Sequence, residues 1–89
     1  ISNISFCQSF EKFFNNGSKM AKAEDFNGAI EQYSKAINLK PSFPLTYKNR
    51  ALLYSKIGKY EESINDYTIY FKLKTFHPFA STKYLELFF

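Results

Sequence analysis

The sequence predicts an all-α fold built by stacking antiparallel helical hairpins, and three observations predict it. The first is an echo at a fixed spacing of about 34 residues, running from Phe13 to Leu73. Phe13 returns as Tyr47, Met20 as Tyr54, Phe26 as Tyr60, Ile30 as Ile64, Tyr33 as Tyr67 and Leu39 as Leu73. Small residues share positions in the same way, Gly17 with Ala51 and Ala29 with Ser63. The second observation is that apolar residues recur at steps of three and four, the period of an amphipathic helix. The third is that the chain shows no strand-like alternation and no low-complexity tract. A fixed period in this range means supersecondary units that bury their apolar faces only by stacking on one another.

Each element follows in order. Phe6, Phe10, Phe13, Phe14, Gly17 and Met20 predict a first helix over about 5–23, interrupted by Glu24-Asp25. Phe26, Ala29, Ile30, Tyr33, Ala36 and Ile37 predict a second helix, stopped at Lys40-Pro41 because proline disfavours the helical region for the residue before it. Ser42 to Pro44 link to a third helix, with Pro44 suited to the first turn, where its missing N–H costs nothing. Tyr47, Arg50, Ala51, Tyr54 and Ile57 carry that helix to Gly58, a glycine placed to end it. Tyr60, Ile64, Tyr67, Phe71 and Leu73 predict a fourth helix ending near Lys74. Pro78 then opens an expected fifth helix over 78–89, with Tyr84, Leu85, Phe88 and Phe89 available for burial.

The block Phe26-x-x-Ala29-Ile30-x-x-Tyr33-x-x-Ala36-Ile37-x-Leu39-x-Pro41, preceded by Phe13 and Gly17, resembles the tetratricopeptide repeat. The resemblance implies a right-handed α-solenoid of five helices, with the first helix of each hairpin lining a concave groove that binds peptides and carries no reaction. On this reading 1–89 is a single domain cut from a longer protein: repeat one over about 10–43, repeat two over about 44–77, and a capping helix over about 78–89. The second copy departs at Ser63 and Tyr70, where small alanines are the rule, and at Thr75, where a proline closes the first copy. Small residues allow close helix approach, and Phe26, Tyr33, Tyr60 and Tyr67 are expected to fill the gaps between successive helices. Tyr70 is expected to open the end of the stack or to pack under the fifth helix.

Composition narrows the function classes. A chain of 89 residues buries only about 60% of its unfolded surface and has no room for a deep catalytic cleft. Seven Tyr and eleven Phe give it enough apolar bulk to fold. The net charge of +4 favours acidic partners, but twelve basic and eight acidic residues are too mixed to mark a nucleic-acid stripe. Cys7 is the only cysteine, so no internal disulfide framework exists. No apolar run reaches the roughly 20 residues that span a bilayer, and no signal-peptide pattern opens the chain. The expected setting is intracellular, cytoplasmic or nuclear.

No catalytic or metal-binding residue is expected, and no cofactor. His77 has no second ligand at a useful spacing, and Cys7 has neither a base nor a resolving thiol beside it. Glu61, Glu62 and Asp66 read as charges near a helix start, where the dipole favours them.

In one subset of the tetratricopeptide family, a two-carboxylate clamp of Lys, Asn, Asn, Lys and Arg holds the acidic tail of cytosolic chaperones. Here those positions fall on Phe14, Ser18, Asn49, Phe79 and Lys83, so only Asn49 is kept in identity and Lys83 in charge. This argues against chaperone-tail binding by that clamp. The groove implied by the family includes these five residues together with Lys22 and, on the third helix, Leu45, Lys48, Leu52 and Lys56. Apolar anchors beside lysines suit an apolar peptide with acidic flanks. The leading expectation is therefore a non-enzymatic protein-interaction module, scaffold or cochaperone-like. A second reading is a structural segment that self-associates or docks onto further repeats of its parent, with Leu85 to Phe89 as the interface. RNA binding ranks last, because the charge is modest and packing claims most aromatics.

Overall fold

A computed structural model describes residues 2–75, with side chains described from Ser9 onward. Four helices follow one another: α1 Ser2–Lys22, α2 Phe26–Leu39, α3 Pro44–Lys56 and α4 Tyr60–Thr75. The first begins a little before the expected start, and the expected fifth helix over 78–89 lies outside the described residues.

Two turns of one design close the two hairpins. At the end of α1, Asp25 N–H donates to Met20 O (2.8 Å) and Glu24 N–H to Ala21 O (3.0 Å). At the end of α3, Lys59 N–H donates to Tyr54 O (2.8 Å) and Gly58 N–H to Ser55 O (3.2 Å). This paired bonding satisfies helix carbonyls and requires a left-handed residue at the turn. Gly58 takes it with φ 83°, and Glu24, its counterpart one repeat earlier, takes it with φ 63° despite its side chain. Asp25 then caps α2, its Oδ1 accepting from Gly28 N–H at 3.1 Å. Between the hairpins, Phe43 is extended ahead of Pro44, which opens α3, and Tyr47 Oη donates to Pro41 O at 2.7 Å.

Side-chain contacts run in opposite directions along successive helices, so neighbours are antiparallel. On α1 and α2, Phe13 meets Lys35 while Ser18 meets Tyr33. On α2 and α3, Ser34 meets Arg50 while Phe26 meets Lys56. On α3 and α4, Lys48 meets Tyr70 while Ala51 meets Ser63. Helix α2 is thus the middle layer between α1 and α3, with Ala29, Tyr33 and Ala36 buried. Gly17 is small for a reason: a Cβ there would lie 2.9 Å from the Tyr33 ring. Ser63 replaces alanine without an orphaned hydroxyl, because Oγ donates to Ala51 O at 2.8 Å inside the core.

The second hairpin differs from expectation on its far side. Tyr60 does not fill a gap: it is 65% exposed, and Ile64 (66%) and Phe71 (56%) share the exposed stripe. Phe26 and Ile30, the α2 counterparts of Tyr60 and Ile64, are partly buried against the core because α3 packs on that helix, whereas no described helix covers the same stripe of α4. Tyr70 stands edge-on to Phe71 at 5.1 Å, with Lys48 and Lys74 ammonium groups 5.7 and 5.5 Å from its ring centre.

Candidate peptide-binding groove

Because α1 and α3 flank α2, the side chains of the outer two helices meet over the middle one. A pocket of about 230 Å³ lies there, lined by Ser18, Ala21 and Lys22 of α1, Tyr33 of α2, and Asn49, Leu52 and Leu53 of α3. Tyr33 forms its floor and is held from both walls. Ser18 Oγ lies 2.9 Å from Tyr33 Oη, and Asn49 Nδ2 donates to the same oxygen at 3.4 Å. The ring is fixed edge-on to Phe14 at 5.5 Å and packs with Ala29 and Leu53. A rigid aromatic floor of this kind offers an inserted side chain a preformed apolar surface at little ordering cost.

Four of the residues expected in the groove, Ser18, Lys22, Asn49 and Leu52, surround this pocket. Leu45, Lys48 and Lys56 share a face of α3 with Asn49 and Leu52, at helical steps of three and four. Leu45 and Leu52 are exposed on that face. The Lys48 ammonium lies over the Tyr70 ring, and that of Lys56 lies 5.8 Å from the Phe26 ring centre, so each stem is draped along an aromatic. Phe14 is placed differently. It packs among Tyr33, Phe10 and Phe43, edge-on to Phe43 at 6.0 Å, and does not line the pocket. Phe79 and Lys83 lie outside the described residues.

Sequence reasoning assigns Tyr33 to packing alone and misses its hydroxyl as the meeting point of Ser18 and Asn49. It also groups Asp66 with the helix-start carboxylates. Asp66 is instead buried, at 1% exposure, on the α3 side of α4. Arg50 grips it with two prongs, Nε to Oδ2 at 2.7 Å and Nη2 to Oδ1 at 2.8 Å, while Nη1 donates to Ser34 Oγ on α2 at 2.9 Å. Hydrogen bonding to Asp66 raises the Arg50 pKa above its ordinary value, against the opposing effect of burial. This network ties α2, α3 and α4 together and so helps hold the α3 wall of the groove against its α2 floor.

Among the described residues, no cluster of three His, Cys, Asp or Glu is placed to hold a metal ion. No described helix is long and apolar enough to cross a membrane.

A family profile described as TPR repeat matches residues 17–58. The small glutamine-rich tetratricopeptide repeat-containing protein 2 of Mycosarcoma maydis is 44% identical over 50 residues, covering 56% of this chain and 14% of that protein. The Hsp70-Hsp90 organizing protein 3 of Arabidopsis thaliana is 42% identical over 50 residues, 56% of this chain and 9% of that protein. The UDP-N-acetylglucosamine--peptide N-acetylglucosaminyltransferase of Giardia intestinalis is 28% identical over 82 residues, 92% of this chain but 6% of that protein. The chain thus spans a small part of the length of each relative. Antiparallel hairpins, the echo of the first hairpin's pattern in the second, and the profile match together identify residues 17–58 as tetratricopeptide repeat sequence.

Proposed function

We propose that this chain is a non-enzymatic protein-interaction module that holds a partner peptide across the face shared by α1 and α3. The observation that carries the reading is the pocket floored by Tyr33, with apolar walls and Lys22 in its lining, while Lys48 and Lys56 stand on the same face of α3 as its residues Asn49 and Leu52. The pocket is of a size for one Leu-, Met- or Phe-like side chain, and the lysines favour acidic residues flanking it. Repeat one over about 10–43 and repeat two over about 44–77 are the units of this surface, stacked as a right-handed α-solenoid.

Relatives named as Hsp70-Hsp90 organizing proteins support a scaffold or cochaperone-like setting inside the cell. The groove itself favours an internal apolar segment over a chaperone's terminal carboxylate. Where the family's clamp has its first lysine, Phe14 sits in an aromatic cluster, and Ser18 turns its hydroxyl to Tyr33.

Selection from a displayed peptide library with the 89-residue chain tests the reading. Enriched peptides are expected to share one bulky aliphatic or aromatic residue with Asp or Glu close by. Their affinity is expected to fall about tenfold or more in Leu52→Asp and to weaken with salt in a Lys48→Glu-sensitive way. Peptides lacking this pattern, or binding unaffected by both substitutions, would overturn it. The exposed stripe on α4 supports a second reading, self-association or docking onto further repeats of the parent. Molar mass by light scattering across concentrations separates the two, since a peptide-binding module stays monomeric without ligand.

A further inference from the structure

Two Asn-Gly junctions stand in this chain, Asn16-Gly17 and Asn27-Gly28, and the fold treats them differently. An asparagine side-chain amide is open to attack by the backbone nitrogen of the next residue, most of all where that residue is glycine and has no Cβ to screen the approach. Attack requires the asparagine ψ to leave its helical value, because in a helix the next nitrogen is turned away from the amide carbon. Gly17 is buried inside α1 against the Tyr33 ring, and its N–H is committed to the helix ladder. Opening that junction means breaking a 21-residue helix where it touches α2. Asn27, by contrast, is exposed in the first turn of α2. Gly28 N–H is the last of the four donors that a helix start leaves without a backbone acceptor, and it is held only by Asp25 Oδ1, at 3.1 Å. Unwinding this turn gives up that cap and the first helical bond, Ala29 N–H to Asp25 O at 2.9 Å. The residue leading into it, Glu24, sits at φ 63°, so its relaxation offsets part of the cost. A Cβ at position 28 would overlap the Asp25 carboxylate. The glycine that leaves Asn27 open to attack is thus the residue that the cap itself requires.

We infer that Asn27 is a site of spontaneous deamidation, gated by the Asp25 cap. With the first turn open, Gly28 N loses its proton to hydroxide and attacks Asn27 Cγ. The bond from Cγ to the side-chain nitrogen breaks, ammonia leaves, and a five-membered imide joins residues 27 and 28. Water then opens the ring on one of two sides. Attack at Cγ gives aspartate at position 27, and attack at the main-chain carbonyl carbon gives isoaspartate, with the backbone rerouted through Cγ. The balance is one amide and one water exchanged for one carboxylate and one ammonium, with no oxidation. Either product lowers the net charge of +4 by one. Their effects on the turn are opposite: a carboxylate in the first turn of a helix is favoured by the dipole, whereas an extra main-chain carbon takes Gly28 N–H out of register with Asp25. The affected turn follows directly on Ala21 and Lys22, which line the pocket. The inference stands independently of peptide binding, and its test uses no ligand.

The test ages the full 89-residue chain in mildly alkaline buffer at physiological temperature, beside a sample unfolded in urea, and follows both junctions by peptide mass mapping. Each deamidation adds one mass unit. In urea the two junctions are expected to react at similar rates, since each is an Asn-Gly pair. In the folded chain Asn27 is expected to react about tenfold or more faster than Asn16, because only the first turn of α2 has to open. Asp25→Ala is expected to speed Asn27 by about fivefold, the loss of one helix cap, and to leave Asn16 slow. Asp25→Ser keeps a capping oxygen and is expected to hold the Asn27 rate within about twofold of the parent chain. Asn27→Gln removes the reaction at that junction and serves as the unreactive control. Three results would each overturn the inference: equal rates at Asn16 and Asn27 in the folded chain, no product at Asn27 by the time the unfolded sample is consumed, or an Asn27 rate indifferent to Asp25→Ala.

Discussion

Arg50 and Asp66 form a two-pronged ion pair between α3 and α4, at 2.7 and 2.8 Å, with the carboxylate 1% exposed. The third guanidinium nitrogen reaches Ser34 on α2, whose own hydroxyl donates to Ile30 O at 2.8 Å. One side chain therefore joins three helices. A buried pair contributes little net stability against well-packed apolar replacements, but removing one partner strands the other. Arg50→Ala is expected to lower unfolding free energy by about 3–5 kcal/mol in urea titrations. Ser34→Ala is expected to cost about 1 kcal/mol, and an Arg50→Leu, Asp66→Leu double variant to recover much of the single-variant loss.

Burial raises the pKa of the Tyr47 phenol above its ordinary value of 10.0, with Arg50 opposing and Asp66 adding to the shift. The folded state therefore holds this proton more tightly than the unfolded chain does. Its contribution to stability is fully present below pH about 10 and is lost as pH rises through the folded pKa. Stability measured by urea unfolding is expected to decline above that pH. Tyr47→Phe should flatten the decline while costing about 1 kcal/mol at neutral pH through loss of the bond to Pro41 O.

The two hairpin turns share one bonding pattern but not one residue. Glu24 adopts φ 63°, a region that costs a side-chain-bearing residue about 1–2 kcal/mol, where Gly58 adopts φ 83° freely. Glu24→Gly is expected to stabilise the chain by about 1 kcal/mol, the larger freedom of glycine in the unfolded state offsetting part of the relief. Gly58→Ala is expected to destabilise by a similar amount, although its Cβ would meet nothing within 4 Å, because the penalty is one of backbone conformation. Parallel denaturant midpoints for the two variants check both signs.

Gly17 and Tyr33 touch where α1 crosses α2, and the ring has nowhere to retreat between Phe14, Ser18 and Asn49. Gly17→Ala gains helix propensity worth about 1 kcal/mol yet is expected to lose more than that from overpacking. A net loss of about 1–2 kcal/mol in chemical denaturation, restored in part by a second Tyr33→Leu substitution, is the expected result.

How much of the groove is legible in the sequence? Helical spacing and a repeat register assign faces without further information, and they put Ser18, Lys22, Asn49 and Leu52 on the surface where the pocket lies. The same register puts Phe14 there, yet its ring turns toward Phe10, Phe43 and Tyr33. A face assignment says which way a Cα–Cβ bond points, whereas burial of a large ring is decided by neighbours distant in sequence.

The four described helices, their boundaries at Pro44 and Gly58, and the pairing of hairpins are properties of the sequence by itself. They depend on local backbone preferences and on an apolar period that returns from one hairpin to the next. Only the tertiary structure decided that Tyr33 Oη joins Ser18 to Asn49, that Asp66 turns inward to Arg50, and that Tyr60, Ile64 and Phe71 face outward. The physical reason is the same in each case. A polar atom or a ring on a helix has several rotamers and a choice of neighbours, and which one it takes depends on how far one helix is slid against the next.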